Sequence, residues 1–285
     1  MKSAKLQMVL LGLVLATGIC GQVQASWNED SDDLFDSILY LDVDDDIDRT
    51  EVDVVDDGDE LDFYIREYLG GELVDSDRYD VELRGENTLI LVLGGERVDV
   101  VHIDPAADAK AYFHVLLYGG EDVAYGGDSV SGGDGEDRLL YGREMYGGAG
   151  ENFLKAGSQT TIMMGGDDRD RIYGQASQVG LYIRAGDGHD LVIGSDERDT
   201  IYGGPGDDLI VSYDGDDDIF GDEGLDWLVG GEGKDRLDPG PWEGPEAIYG
   251  SDGGDWFVVS QIGNYYHDYD QSEGDWYFNL FLLAW

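Results

Sequence analysis

Beyond Cys20 the chain has no cysteine, so no disulfide can form within it and the covalent staple of many exported domains is excluded. Basic residues are scarce as well: 17 Lys and Arg stand against 64 Asp and Glu, a formal charge of −47. Such a charge repels phosphate backbones and anionic lipid, which excludes nucleic acid and acidic membrane surfaces as partners. Cations are the natural ones. The one extended apolar run, Met8 to Ile19, is too short for a stable membrane span. Catalytic motifs are missing too. There is no His-Glu-x-x-His, and the four histidines (His102, His114, His189 and His267) are scattered. No Ser sits in Gly-x-Ser-x-Gly, and Gly233-Lys234 is followed by Asp, so there is no phosphate loop. No catalytic residue is assigned, and a non-enzymatic protein is expected.

What is present is apolar as well as acidic. Hydrophobic residues make up 41% of the chain, with 18 Tyr and 6 Trp, too much apolar material for a solvated tail. Something must neutralise the carboxylates before that material can be buried. The first 25 residues read as an export signal: Lys2 and Lys5 form a basic start, Met8 to Ile19 the apolar stretch, and Val23-Gln24-Ala25 a small-residue cleavage site. A secreted protein is expected.

The main signal is a repeat. Asp recurs every nine residues at Asp190, Asp199, Asp208, Asp217, Asp226 and Asp235, and two places after each stands Val192, Ile201, Ile210, Ile219, Leu228 or Leu237. These belong to six units in unbroken register from AGDGHDLVI (185–193) to GGEGKDRLD (230–238). GGAGENFLK (147–155), AGSQTTIMM (156–164), GGDDRDRIY (165–173) and GSDGGDWFV (250–258) extend the series, with eleven-residue segments at 174–184 and 239–249. Leu154, Met163, Ile172, Ile183, Ile248 and Phe257 complete a set of twelve apolar residues in one phase. Alternate side chains of a strand share a face, so these twelve are expected to point inward.

The units resemble the repeats-in-toxin (RTX) nonapeptide GGxGxDxUx, where U is a large aliphatic residue. The resemblance implies an all-β fold, a parallel β-roll or β-solenoid in which six residues of each unit turn, three form a strand, and two units complete a coil. It also implies calcium as the cofactor, at several sites between stacked turns. The Asp side chains at the sixth place and carbonyls of the Gly-rich turn would hold the ions. The implied ligand set is Asp137, Asn152, Asp170, Asp190, Asp199, Asp208, Asp217, Asp226, Asp235 and Asp255, with turn carbonyls around Gly186, Gly188, Gly204, Gly206, Gly215, Gly224, Gly231 and Gly233. The chemistry is consistent with each place. Calcium takes ~6–8 oxygens, which carboxylates and carbonyls supply, and Gly allows positive φ with no Cβ in the way.

With two units per coil, like-sided units lie 18 residues apart. One edge should then stack Asn152, Asp170, Asp190, Asp208, Asp226 and Glu246, and the other Asp199, Asp217, Asp235 and Asp255. The second edge has Thr161 and the apolar 179–181 region in its earlier units, where no calcium is expected. Asp stacked on Asp repels without a cation, so the roll is expected to fold on binding calcium.

The organisation that follows is a signal peptide at 1–25, an acidic linker at 26–62, an amino-terminal β region at 63–118, the roll at 119–258 and a carboxy-terminal cap at 259–285. In 26–62 the residues Leu34, Phe35, Ile38, Leu39 and Leu41 suggest one short helix, whereas DVDDDIDRTEVD (42–53) fails as an EF-hand because Ile47 replaces the turn Gly. TLILVLGG (88–95), RVDVVHI (97–103) and AYFHVLLYGG (111–120) read as strands. GGDGEDRLL (132–140) is one good repeat amid irregular pieces, and DWYFNLFLLAW (275–285) is expected to close the open end as a cap strand. An adhesion, matrix or other structural role follows, with extracellular polysaccharide as a candidate partner through Trp227, Trp242 and Trp256. The rival is a calcium-dependent β-helical enzyme acting on acidic polysaccharide, which needs concentrated bases; only Arg169/Arg171 and Lys234/Arg236 qualify.

Overall fold

Period-two patterning inside a nine-residue repeat leaves only short strands, and short strands gain stability by stacking. A computed structural model of the protein shows that arrangement; it describes residues 22–27, 37–42, 48–58, 60–82, 88–241, 247–259, 265–267 and 276–279. Residues 1–21, which hold most of the expected signal peptide, lie outside the described residues, as do Trp242 and Glu246.

Two 13-stranded sheets face each other, and successive strands of the repeat region alternate between them. One sheet carries Ser129–Asp134, Glu144–Ala149, Ile162–Gly166, Tyr182–Gly186, Thr200–Pro205, Asp218–Glu223, Arg236–Asp238 and Trp256–Val259 in that order, all paired in parallel. The other carries the intervening strands, from Val123–Tyr125 to Ala247–Tyr249, also in parallel. The chain is a parallel β-solenoid.

The register accounts for the core. Leu154 pairs with Ile172, then Val192, Ile210, Leu228 and Ile248 in one sheet. Met163 pairs with Ile183, then Ile201, Ile219, Leu237 and Phe257 in the other. All twelve are fully buried, each at 0% exposure, and form one continuous cluster between the sheets. A slip of one residue would turn every one of them to water, so the apolar phase fixes the register.

Ahead of the repeats the three strands expected from β-branched runs are present as Thr88–Leu93, Val98–Ile103 and Tyr112–Leu116, and they already stack in parallel with the roll. One helical turn, Pro105–Asp108, replaces a turn in this region, capped by the Asp104 side chain on the Ala106 N–H. The acidic linker is corrected over residues 49–62. Arg49–Asp56, Glu60–Leu69 and Glu72–Glu82 form an antiparallel meander on the end of the second sheet. The reason is alternation with pairing: Val52, Val54, Leu61 and Phe63 are buried, while the acids beside them are held by bases, Glu51 and Asp53 by Arg66 and Asp62 by Arg78, so a high charge count does not prevent a strand. The one-helix reading is corrected too, since Ile38, Leu39 and Leu41 fall in the strand Ser37–Asp42. At the far end Trp276–Asn279 pairs in parallel with Trp256–Val259 and is the last described strand of its sheet, the place expected of a cap strand.

Candidate metal centres

Each turn begins where a strand ends and must reverse the chain in six residues. At the fourth place this needs glycine: Gly206 has φ 143°, and a Cβ there would lie 1.4 Å from the Gly188 carbonyl oxygen of the preceding coil. The other turn glycines expected at the sites, Gly186, Gly188, Gly204, Gly215, Gly224, Gly231 and Gly233, also have positive φ. At these glycines the turns stack backbone against backbone.

The sixth-place carboxylates form two ladders. On the first edge the main-chain N–H of each residue donates to the Oδ1 of the next along the series Asp137, Asn152, Asp170, Asp190, Asp208 and Asp226, at 2.7–3.0 Å. On the second edge Asp199 donates to Asp217, Asp217 to Asp235 and Asp235 to Asp255, at 2.7–3.0 Å. The two stacks expected from the 18-residue spacing are those of the structure, apart from Glu246, which is not among the described residues. All of these side chains are buried.

Using Oδ1 in the ladder leaves Oδ2 to be accounted for. In Asp137, Asp170, Asp190, Asp208, Asp217 and Asp235 it is buried and makes no hydrogen bond among the described residues. In Asp170, Asp208 and Asp235 a common cradle surrounds it. A Cβ added to Gly203 would meet Asp208 Oδ2 at 2.4 Å and the Gly221 carbonyl oxygen of the next coil at 2.7 Å. Gly165 has the same relation to Asp170 Oδ2 and the Ala185 carbonyl, and Gly230 to Asp235 Oδ2 and the Gly250 carbonyl. First-place glycine thus keeps open a small space shared by a carboxylate oxygen and a carbonyl oxygen. These first-place carbonyls were not singled out from the sequence.

An orphaned buried carboxylate is costly, and burial is the main reason these groups resist ionisation. Desolvation pushes Asp170 and Asp208 up to about 8, Asp235 to about 7, and Asp137, Asp190 and Asp217 to about 6, with the main-chain N–H of the ladder opposing the shift. Asp199 is raised for the same reason. Either protons or cations must compensate. Among the described residues no three His, Cys, Asp or Glu side chains converge as a metal cluster, so carbonyls would have to complete any coordination shell. A hard cation fits that donor set; imidazole- or thiolate-seeking metals do not.

A family model for the RTX calcium-binding nonapeptide repeat matches in four copies, over residues 144–172, 184–219 and 211–241. The repeat region is an RTX β-roll. No curated protein matches the chain. The RTX motif explains the ladders, the orphaned oxygens and the glycine cradles together, because calcium is the hard cation its repeats bind.

Two positions of this roll depart from the motif. Asn152 stands in the first ladder, but its Nδ2 donates to the Gly150 carbonyl at 2.9 Å while its Oδ1 accepts from Asp137, so both amide atoms are used within the protein. Asp199 differs from its neighbours in that Ser195 satisfies it, the Ser195 N–H reaching Oδ2 at 2.6 Å and its hydroxyl Oδ1 at 2.8 Å. Earlier on that edge, where no calcium is expected, hydroxyls fill the turns: Thr160 Oγ1 donates to the Gly142 carbonyl and Ser177 Oγ to the Thr160 carbonyl.

The first ladder also runs further back than the nine-residue count suggested. Asp99 N–H donates to Asp122 Oδ1 at 2.7 Å, and Asp122 N–H to Asp137 Oδ1 at 3.0 Å. Asp122 was missed because LYGGEDVAY (117–125) has Leu and Tyr in place of the first two glycines. The signal was a second period. Glu-Asp-Val, Glu-Asp-Arg and Glu-Asn-Phe recur at 121, 136 and 151, fifteen residues apart, where coils of nine plus six replace coils of nine plus nine.

Proposed function

We propose that this calcium-binding repeat protein is an exported, non-enzymatic one whose roll folds when calcium binds and then serves as a rigid extracellular element for adhesion or matrix building. The observation that carries the reading is the pair of buried Asp ladders, in which the Oδ2 atoms of Asp137, Asp170, Asp208 and Asp235 make no hydrogen bond among the described residues and each meets a backbone carbonyl oxygen beside a first-place glycine. Removing a cation from such a stack leaves buried like charges, which couples binding to folding. Free calcium is low inside cells, so the chain would stay unfolded until exported, and RTX repeat proteins are typically exported. Extracellular-type affinities of about 10⁻⁴–10⁻³ M would then suffice.

A non-catalytic role is supported by the state of the few bases. Arg171 faces Glu151 at 4.0 Å, Arg198 pairs with Asp218 at 2.8 Å, and Arg236 pairs with Asp238 and lies over Phe220. None of these is gathered with others to receive an acidic substrate. Trp227 and Trp256 are about half exposed on the strand faces, Trp227 stacked on Tyr249, and they offer the flat apolar surfaces that sugar rings use.

The test is far-UV circular dichroism of the full chain during a calcium titration, with magnesium and EDTA as controls. A cooperative gain of β signal with calcium and not with magnesium is the expected result. A spectrum that is already folded in EDTA and unmoved by calcium would overturn the reading.

A further inference from the structure

A residue that points outward from a strand is free to be polar, and the first sheet uses that freedom: its outer face carries Arg184, Thr200, Asp218, Arg236 and Asp238. The second sheet differs. In its strands Leu191–Ile193, Leu209–Val211, Trp227–Val229 and Ala247–Tyr249 the middle residue is buried and both outward residues are uncharged. Register aligns them in two rows, Leu191, Leu209 and Trp227 beside Ile193, Val211 and Val229, which end at Ala247 and Tyr249. The first sheet forms the same parallel strands with charged residues at the matching places, so strand formation does not require this apolar face.

The face is open among the described residues: Leu209 is 40% exposed and Trp227 50%. Trp227 lies stacked on Tyr249, with ring centroids 5.7 Å apart, which fixes a broad aromatic anchor at one end. Four strands ~4.8 Å apart, each three residues of ~3.3 Å, make a stripe of about 19 by 10 Å. Its area of about 190 Å² falls well short of the ~800 Å² per partner that a stable pair of folded proteins buries, so it does not suit a second copy. Its width suits one α-helix, about 10–12 Å across, and its length suits ~13 helical residues. Both long sides are acidic. Asp207 and Glu223 stand exposed in the turns on one side, Asp214 and Glu232 on the other, and none of the four belongs to the ladders. Between residues 194 and 235 the only Lys and Arg are Arg198, which pairs with Asp218, and Lys234. Trp227 alone could stack on a sugar, but the aliphatic side chains around it offer no hydrogen bond to a hydroxyl.

We infer that the outer face of the second sheet, from Leu191 to Tyr249, docks an amphipathic helix of a partner protein, with the helix's apolar stripe on the two rows and Lys or Arg along both flanks over the acidic turns. The complementarity is twofold: an uncharged strip of helical width, and a rim of one sign. The inference needs the folded roll and does not depend on which ion fills its turns.

Fluorescence anisotropy of labelled synthetic peptides with the full-length protein in calcium, at about 0.15 M salt so that long-range attraction is screened, tests this. Three peptides are compared: a Leu/Lys peptide of about 14 residues with Leu at helical spacing, the same composition scrambled, and the first with Glu for every Lys. The Leu/Lys peptide is expected to bind about tenfold tighter than the scrambled one, and the Glu peptide not to bind. Leu209→Ser with Trp227→Ser should weaken the Leu/Lys peptide about tenfold, whereas Tyr182→Ser on the first sheet should leave it unchanged. Equal binding of the Leu/Lys and scrambled peptides overturns the inference, and so does a double variant that folds in calcium and binds like wild type. If the double variant does not fold, Leu209→Lys decides, and unchanged binding there overturns it. A dimer in sedimentation, or pelleting with phosphatidylcholine vesicles, that the double variant abolishes while the peptides show no preference also overturns it, assigning the face to a second copy or to lipid. A chain that stays unfolded in calcium fails the reading of the whole roll, whereas a folded roll without peptide preference removes only the docking face.

Discussion

The main-chain N–H of Asp190 donates to Oδ1 of Asp208, 18 residues later, at 2.8 Å, and the Oδ2 of Asp208 is left buried without a hydrogen bond among the described residues. One carboxylate therefore does two jobs: it fastens a coil to its predecessor and presents its second oxygen to the cradle beside Gly203. The same bond repeats up both edges.

Asn152 shows what happens when the second oxygen becomes an amide, and Asp208→Asn should reproduce it. Removing a buried charge without a partner relieves a penalty of roughly 1–3 kcal/mol. Because the calcium-free roll is expected to be unfolded, the gain should show as a shift of that balance: in EDTA above pH 8, where Asp208 would be ionised in the fold, the variant should retain more β signal than wild type, and it should gain less from calcium. Far-UV circular dichroism with EDTA and with calcium measures both. Less β signal than wild type in EDTA would contradict the assignment of Oδ2 as an unpaired oxygen.

The pH dependence follows from the raised carboxyls. A group whose folded pKa lies above its unfolded value contributes stability below the unfolded value, near 4, and loses it as pH rises through the folded one. For these aspartates the loss spans pH 4 to about 8, with Asp137, Asp190 and Asp217 ionising in the fold near 6, and Asp122, Asp170 and Asp208 near 8. The calcium-free protein should gain β structure on acidification from pH 8 to 5. With calcium the order reverses, because protons compete for the same oxygens, and the calcium midpoint should rise as pH falls. Circular dichroism in EDTA and in calcium across this range separates the two slopes.

Glycine at the turns is required to different degrees. Gly206→Ala forces a left-handed residue and drives its Cβ onto the Gly188 carbonyl, so a loss of about 3 kcal/mol or more is expected, the upper end for such strain. Ser251 already holds a left-handed φ of 72°, and Ser251→Gly should stabilise the calcium-loaded protein by about 1 kcal/mol. Thermal unfolding in calcium should move the two variants in opposite directions.

Most of the roll was legible because its physics is local and periodic. An apolar residue two places after each Asp can only be buried on alternate strands, which set the register, the two sheets and the membership of both carboxylate ladders from Asp170 to Asp255. Composition was a poorer guide at the amino terminus, where a count of acids suggested a linker while the alternation Thr50, Val52, Val54 had already specified a strand.

What the tertiary structure alone decided is where the motif can be broken without breaking the coil. Coils may shorten to fifteen residues because the inward strands at Val130 and Met145 still pair, and only the stacking shows that the missing residues are all taken from one edge. Likewise an Asn or a Ser in a turn looks like a weakened ligand set when read along the chain. Within their own turns Asn152 Nδ2 donates to the Gly150 carbonyl and Ser195 donates to Asp199, so these places are closed by hydrogen bonds. A sequence determines which residues repeat; whether a carboxylate oxygen meets a proton donor is decided by how its turn folds and how the coils stack, which places Ser195 on Asp199 and leaves Asp208 Oδ2 without a donor among the described residues.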